Sequence, residues 1–215
     1  MSIKRYTEES LMKTQPISVL HSIAEHYFHD AGDFADRFDV LWESQTRKTG
    51  RIKSFVDLLM ATECALKAHV VLGKVSDEPT EVYQSILKAG HRIGVLANAS
   101  TFLDERSTYD ELALRLDKFS VFIRYSLDAY ETFFPSYVER HEAELDYGAT
   151  IGNNSWVLEV RALLNPLLSS LNEELTGFIN SDIEEIIEHE RRMKEFMDSV
   201  LPQRRRRGKT AKNNL

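Results

Sequence analysis

The stretch from Ser54 to Gly73, SFVDLLMATECALKAHVVLG, leaves the rest of the chain the fewest options. Wound as a helix at about 100° per residue, it puts Phe55, Leu59, Leu66 and Val70 on one stripe and Leu58, Ala61, Ala65 and Leu72 on another, roughly a third of a turn away. A helix that is apolar around most of its circumference must be covered on most sides, so this one is expected at the centre of a helical domain. Glu63 and Lys67 fall inside the apolar arc, four residues apart and in the order that favours pairing, which predicts an ion pair within the core. Cys64, the only cysteine, excludes an intrachain disulfide and a multi-cysteine zinc site, and its mid-helix setting reads as a small buried hydrophobe.

The flanking sequence supplies the covering helices. After Pro16, the residues Ile23, Ala24, Tyr27, Phe28, Ala31, Phe34, Ala35, Phe38 and Trp42 fill one arc of a long amphipathic helix. Its other face carries His21, Glu25, His26, His29, Asp30, Asp33, Asp36 and Asp39. Pairs such as His26/Asp30 and His29/Asp33 have ligand spacing, but no matching pair is visible on another helix, so a hydrated acidic face without metal is expected. Residues 43–50 read as a connection, and Pro79 to Gly90 as a short helix with proline in its first turn and glycine at its end. A second short helix follows through Leu96, and His91 at the junction is expected to donate a hydrogen bond between helices.

Thr108 and Glu111 make a capping-box pattern ahead of a helix on which Leu112, Leu116, Phe119, Ile123, Leu127, Tyr130 and Phe134 align as far as Pro135. Arg124 falls on the opposite face among Asp117, Asp128 and Glu131, the setting of a salt-bridged surface arginine. Residues 136–155 lose periodicity and read as a long loop in which VERHEAEL can form a turn or two of helix. Asn154 or Ser155 can cap the next helix, which Pro166 is expected to kink or split. Ser181 and Glu184 form a second capping box, and the final helix lines up Ile183, Ile186, Ile187, Met193, Met197 and Val200 for docking on the body. No stretch reads as a strand.

Charge is unevenly placed. The net charge is −7, yet the last thirteen residues hold Arg204, Arg205, Arg206, Arg207, Lys209 and Lys212 with no acid, leaving −13 on the rest. The tail is a candidate nucleic-acid or partner-binding segment, and deleting residues 203–215 is expected to remove such binding. No apolar run is long enough to span a bilayer and no N-terminal stretch has the form of a secretory signal, so a cytoplasmic protein without membrane association is expected. Gly-rich phosphate loops, a serine elbow, zinc-protease signatures and cysteine-nucleophile constellations are all missing, and no cofactor is expected.

Three segments in order resemble the HEPN superfamily, small helical bundles of prokaryotic toxin–antitoxin and phage-defence systems: AEHYFHDA at 24–31, ATECALKA at 61–68 and GHRIGVL at 90–96. Ile123-Arg124-Tyr125 is similar to part of the family's later helix. The resemblance covers residues 17–134 and marks Glu63, Lys67, Gly90, His91 and Arg124 as family-like positions. It implies a homodimer and a role in RNA biology. Active members resemble metal-independent ribonucleases carrying an arginine followed, after four to six residues, by a histidine that acts on the 2′-hydroxyl. Here the positions after Arg124 are Ala129, Tyr130 and Glu131, and no histidine of the chain stands at that distance from an arginine.

The sequence therefore predicts one all-α domain over residues 1–202, a HEPN-like bundle (17–134) with a long loop (136–155) and two additional C-terminal helices (155–201), ending in a disordered basic tail (203–215). The expected function is a non-catalytic interaction module for RNA or a partner protein. The alternative is a divergent metal-independent endoribonuclease drawing on Arg124, Arg140, His141 and Tyr147.

Overall fold

The computed structural model describes residues 18–134, 143, 145–177 and 182–212, those beyond residue 201 as backbone alone. Among the described residues the regular structure is entirely helical. The helix anticipated from Ser54 onward begins earlier, as α2 (Lys48–Leu72), and it is the axis of the fold. From Ile52 to Leu72 every residue is buried except Lys53, Met60 and Lys67. These three recur every seven residues, two turns of helix, so α2 meets solvent along a single line.

α1 (Val19–Trp42), capped by the Ser18 hydroxyl on the His21 N–H, turns back on α2 as an antiparallel hairpin. α1 buries Ala24, Ala31 and Ala35, and α2 buries Ala61, Ala65 and Ala68, short side chains that let the two axes approach closely. The other sides of α2 are closed by α4 (Ile93–Ala99), by a 3-10 turn (Val121–Arg124) and by α7 (Asn154–Leu175). α5 (Ser107–Leu116) bridges α4 and α7, and α6 (Ser126–Phe133) follows the 3-10 turn. α3 (Pro79–Ala89) and α8 (Ile183–Lys212) pack together at one flank, where α8 also meets α1. No described helix is long and apolar enough to cross a membrane.

Several local expectations give way to specific competitors. The single helix anticipated over residues 109–134 is broken after Leu116, because Asp117 accepts from the Gly94 N–H (2.9 Å) and the Ser120 hydroxyl accepts from the Phe122 N–H (3.2 Å). Such side-chain-to-backbone bonds offer the chain an alternative to continued helix. Val121 and Ile123 are then buried, whereas Leu127 and Tyr130 face solvent, so the apolar alignment ends at Ile123. The Thr108/Glu111 box does not form: α5 starts at Ser107 without a side-chain cap, and Glu111 pairs with Arg115.

Asn153, not Asn154 or Ser155, caps α7 by accepting from the Trp156 N–H. Asn154 instead accepts from Trp42 Nε1 (2.9 Å) and Arg51 Nη2 (3.0 Å), tying α7 to the α1–α2 corner. Pro166 neither splits nor ends α7; it lies on the exposed side, where the carbonyl left without a donor can be hydrated. Ser181 is outside the described residues, and Asp182 supplies the α8 cap by accepting from the N–H groups of Glu184 and Glu185. Of the expected stripe, Val200 and the half-buried Met193 dock, together with His189 and Phe196, whereas Ile183, Ile186, Ile187 and Met197 are exposed. The rotation follows from what the body offers, the edge of Tyr83 for Phe196 and the Ser22 hydroxyl for His189. The α8 backbone continues through the basic tail to Lys212, a stretch where disorder is expected from composition. Arginine and lysine are good helix formers, and cations suit a helix C-terminus. Most of VERHEAEL, with Arg140 and His141, falls outside the described residues.

Candidate anion-binding site on the open line of the central helix

The polar groups of α1, α2 and the 3-10 turn converge where Lys53, Met60 and Lys67 reach solvent. At the lower end a cleft of about 450 Å³ opens between these elements. Phe34, Leu41, Val56 and Met60 give it apolar walls, and Arg37, Lys53 and Arg124 give it three cations. Asp57 is the acid among them. Its carboxylate holds Arg37 at 3.1 Å, and burial raises the Asp57 pKa while the Arg37 guanidinium pulls it back down.

Arg124 ends the 3-10 turn, with Val121 and Ile123 buried behind it and its guanidinium 4.8 Å from the Tyr125 ring centroid. The salt bridges anticipated for it with Asp117, Asp128 and Glu131 are not made, since Asp117 is engaged with Gly94. Among the described residues neither Arg124 nor Lys53 has an acidic partner. Gly50 shapes the cleft's rim: any side chain there would run into the Gln45 amide, which lies against the start of α2. Beyond Gln45 a second cleft holds Asp39, Glu43, Arg51 and Asn154, with Asp39 paired to Arg161 at 2.7 Å.

Further along the line, the expected Glu63–Lys67 pair is formed in the core. Glu63 is 1% exposed; it accepts from Lys67 Nζ at one oxygen and from His91 Nδ1, at 2.8 Å, at the other. Lys67 Nζ also lies 5.5 Å from the Tyr27 ring centroid. His91 reaches Glu63 because Gly90 turns the chain at φ +63°, in the region where a side chain is strained. His91 is thus the inter-helix donor its position suggests, with its side chain half-exposed. Of the positions singled out in the sequence, Glu63, Lys67 and His91 form one centre, with Gly90 as the turn that brings His91 to it. Arg124 belongs to the cleft instead.

The rest of α2 is sealed. His69, fully buried, donates from Nε2 to the Leu167 carbonyl (3.1 Å), so its Nδ1 accepts from the Tyr109 hydroxyl (2.6 Å), which in turn accepts from the Leu103 N–H (3.0 Å). Burial lowers the His69 pKa to about 4, only partly opposed by the Leu167 carbonyl. Cys64 is buried too, and loss of water pushes its thiol up to about 12, with the Lys67 charge opposing.

The remaining sequence candidates are dispersed. His21 meets Glu174 at 3.5 Å, and His29 meets Glu25 at 3.8 Å. Among the described residues no three His, Cys, Asp or Glu side chains converge as metal ligands would. Tyr147 packs edge-on to Phe133 beneath Lys48, in a different cavity from Arg124. The side chains of Arg204, Arg205, Arg206, Arg207, Lys209 and Lys212 lie outside the described set. Arg37, Lys53 and Asp57 match no motif; the seven-residue recurrence of Lys53, Met60 and Lys67 on an otherwise buried helix is a signal for Lys53 alone, and Arg37 and Asp57 join it only through the fold. No family model, curated protein or solved structure matches the chain, so the functional reading rests on this geometry.

Proposed function

We propose that this chain is a non-catalytic, HEPN-like module that binds RNA, with the cleft of Arg37, Lys53 and Arg124 as its phosphate contact. The observation that supports the reading is a pair of cations, Lys53 and Arg124, without acidic partners at one apolar-walled cleft, in a body whose overall charge is strongly negative. Local cation density of this kind selects where a polyanion lands. A setting in toxin–antitoxin or phage-defence biology follows from the family resemblance. The basic tail adds sequence-independent, salt-sensitive attraction to the same ligand.

One observation favours a second reading, a divergent metal-independent endoribonuclease. His91 is a half-exposed imidazole held by a buried carboxylate, the arrangement of a general base with its tautomer fixed. It does not line the cationic cleft, and for that reason binding without cleavage is the preferred function.

Anisotropy of a labelled single-stranded RNA separates these readings. Lys53→Ala with Arg124→Ala is expected to weaken binding about tenfold or more, and the RNA should remain intact without metal. Unchanged affinity would remove the cleft from the account, and metal-independent cleavage lost in His91→Ala would establish the enzyme.

A further inference from the structure

We infer that the cleft selects a phosphate monoester, the dianionic terminal phosphate of a nucleotide or of a nucleic-acid strand, over an internal phosphodiester. The inference rests on the reading of this cleft as the phosphate contact. It begins with a charge count. Of the three cations at the cleft, Arg37 is matched by Asp57 at 3.1 Å, whereas Lys53 and Arg124 are not matched by any described acid. Two unmatched cations lining one cleft leave it with two uncompensated charges, and the anion that neutralises both in one place carries two charges. At neutral pH a phosphate monoester carries about −1.5 to −2, with its second ionisation near 6, while each internal phosphodiester carries one charge.

Shape and surroundings argue the same way. The apolar walls contributed by Phe34, Leu41 and Met60 give the body attached to the phosphate a dry surface to rest on. Asp57 offers a carboxylate oxygen beside them as acceptor for an amino or hydroxyl group, as nucleobases and riboses present. The volume, about 450 Å³, is that of a small-ligand site and suits one nucleotide rather than a length of strand.

The test uses the full chain and one single-stranded RNA prepared with a 5′-phosphate or a 5′-hydroxyl, with adenosine monophosphate and adenosine as competitors. Expected is about tenfold tighter binding of the phosphorylated strand. That preference should disappear in Lys53→Gln with Arg124→Gln, survive in Lys53→Arg, and fade below about pH 6 as the monoester takes up a proton. Far-ultraviolet circular dichroism confirms that the variants keep their helices. Competition by adenosine monophosphate but not adenosine assigns the free nucleotide as a ligand; competition by neither assigns the strand end, and both results retain the monoester. Equal binding of the two strands, still weakened by the glutamine pair, would overturn the inference while leaving the RNA reading in place. Binding indifferent to the glutamine pair would overturn both.

Discussion

Glu63 and His69 stand on successive turns of the same buried helix, and the partners that meet them are of opposite kinds. Glu63 is met by Lys67 and His91, both of which reach the surface, at 14% and 53% side-chain exposure. His69 is met by the buried Tyr109 hydroxyl and Leu167 carbonyl, with the half-buried Phe102 edge-on to its ring and the half-buried Ser170 hydroxyl 3.4 Å from Nε2, and none of these partners carries a charge. An ionic centre is tolerated on α2 only where its counter-charges keep contact with solvent, because desolvating all members would cost more than their attraction returns. On the sealed side the titratable group is kept neutral and every hydrogen-bonding atom has a neutral partner. The contrast separates a face available to ligands from a wall that fixes the packing of α5 and α7 on α2.

The sharpest way to break this comparison is to remove one charge from the open side. Lys67→Ala leaves the Glu63 carboxylate with His91 alone and should cost on the order of 3–5 kcal/mol, whereas Lys67→Met with Glu63→Gln should cost much less because no buried charge is left over. Denaturant midpoints measure both. Equal small losses would mean that the pair is not the buried ionic centre described.

The sealed side answers to acid instead. His69 has a folded pKa of about 4 against 6.5 for the free side chain, so the unfolded chain takes up the proton first. The stabilisation is therefore full above about pH 6.5, falls as pH drops, and is gone near pH 4, a loss of about 3 kcal/mol. His69→Gln, which can still donate to the Leu167 carbonyl, should be less stable at neutral pH yet lack this acid-dependent component. Stability curves of the two proteins that stay parallel between pH 7 and 4 would contradict a neutral buried imidazole.

A smaller effect sharpens the open side. Gly90→Ala forces a side chain into the φ +63° conformation that brings His91 to Glu63, and should cost about 1–2 kcal/mol. The same change should move the His91 ring resonances followed by nuclear magnetic resonance while leaving those of His69 in place. A matching perturbation of both histidines would mean that the two centres are one coupled network.

The central helix, its internal ion pair, the buried cysteine and the all-helical class were legible because each follows from periodicity along a single segment. The break after Leu116 was not, because Asp117 is drawn away by the Gly94 N–H, a partner 23 residues distant in sequence. Likewise the apolar stripe of α8 names Ile183, Ile186 and Ile187, yet the docked face is decided by Tyr83 and Ser22 on other helices. The cleft shows the same division. Lys67 stands out as a charge on α2 but does not line the cleft, whereas Lys53 precedes the apolar stretch, Arg37 comes from α1 and Arg124 from the 3-10 turn, and only the tertiary fold brings these three together. The basic tail is the loudest electrostatic signal in the sequence, whereas the cleft assembles three cations that lie far apart along the chain.

The central claim, that ligands meet the protein along the open line of α2, has a direct reporter in Met60, which lies on that line between Lys53 and Lys67 and lines the cleft. Met193 and Met197 on α8 serve as internal controls on the same spectra. With methyl-labelled methionine, titration of 5′-phosphorylated single-stranded RNA should shift the Met60 methyl signal progressively to saturation while those of Met193 and Met197 hold their positions. A Met60 signal that stays fixed while Met197 moves would place the ligand on α8 and contradict the account.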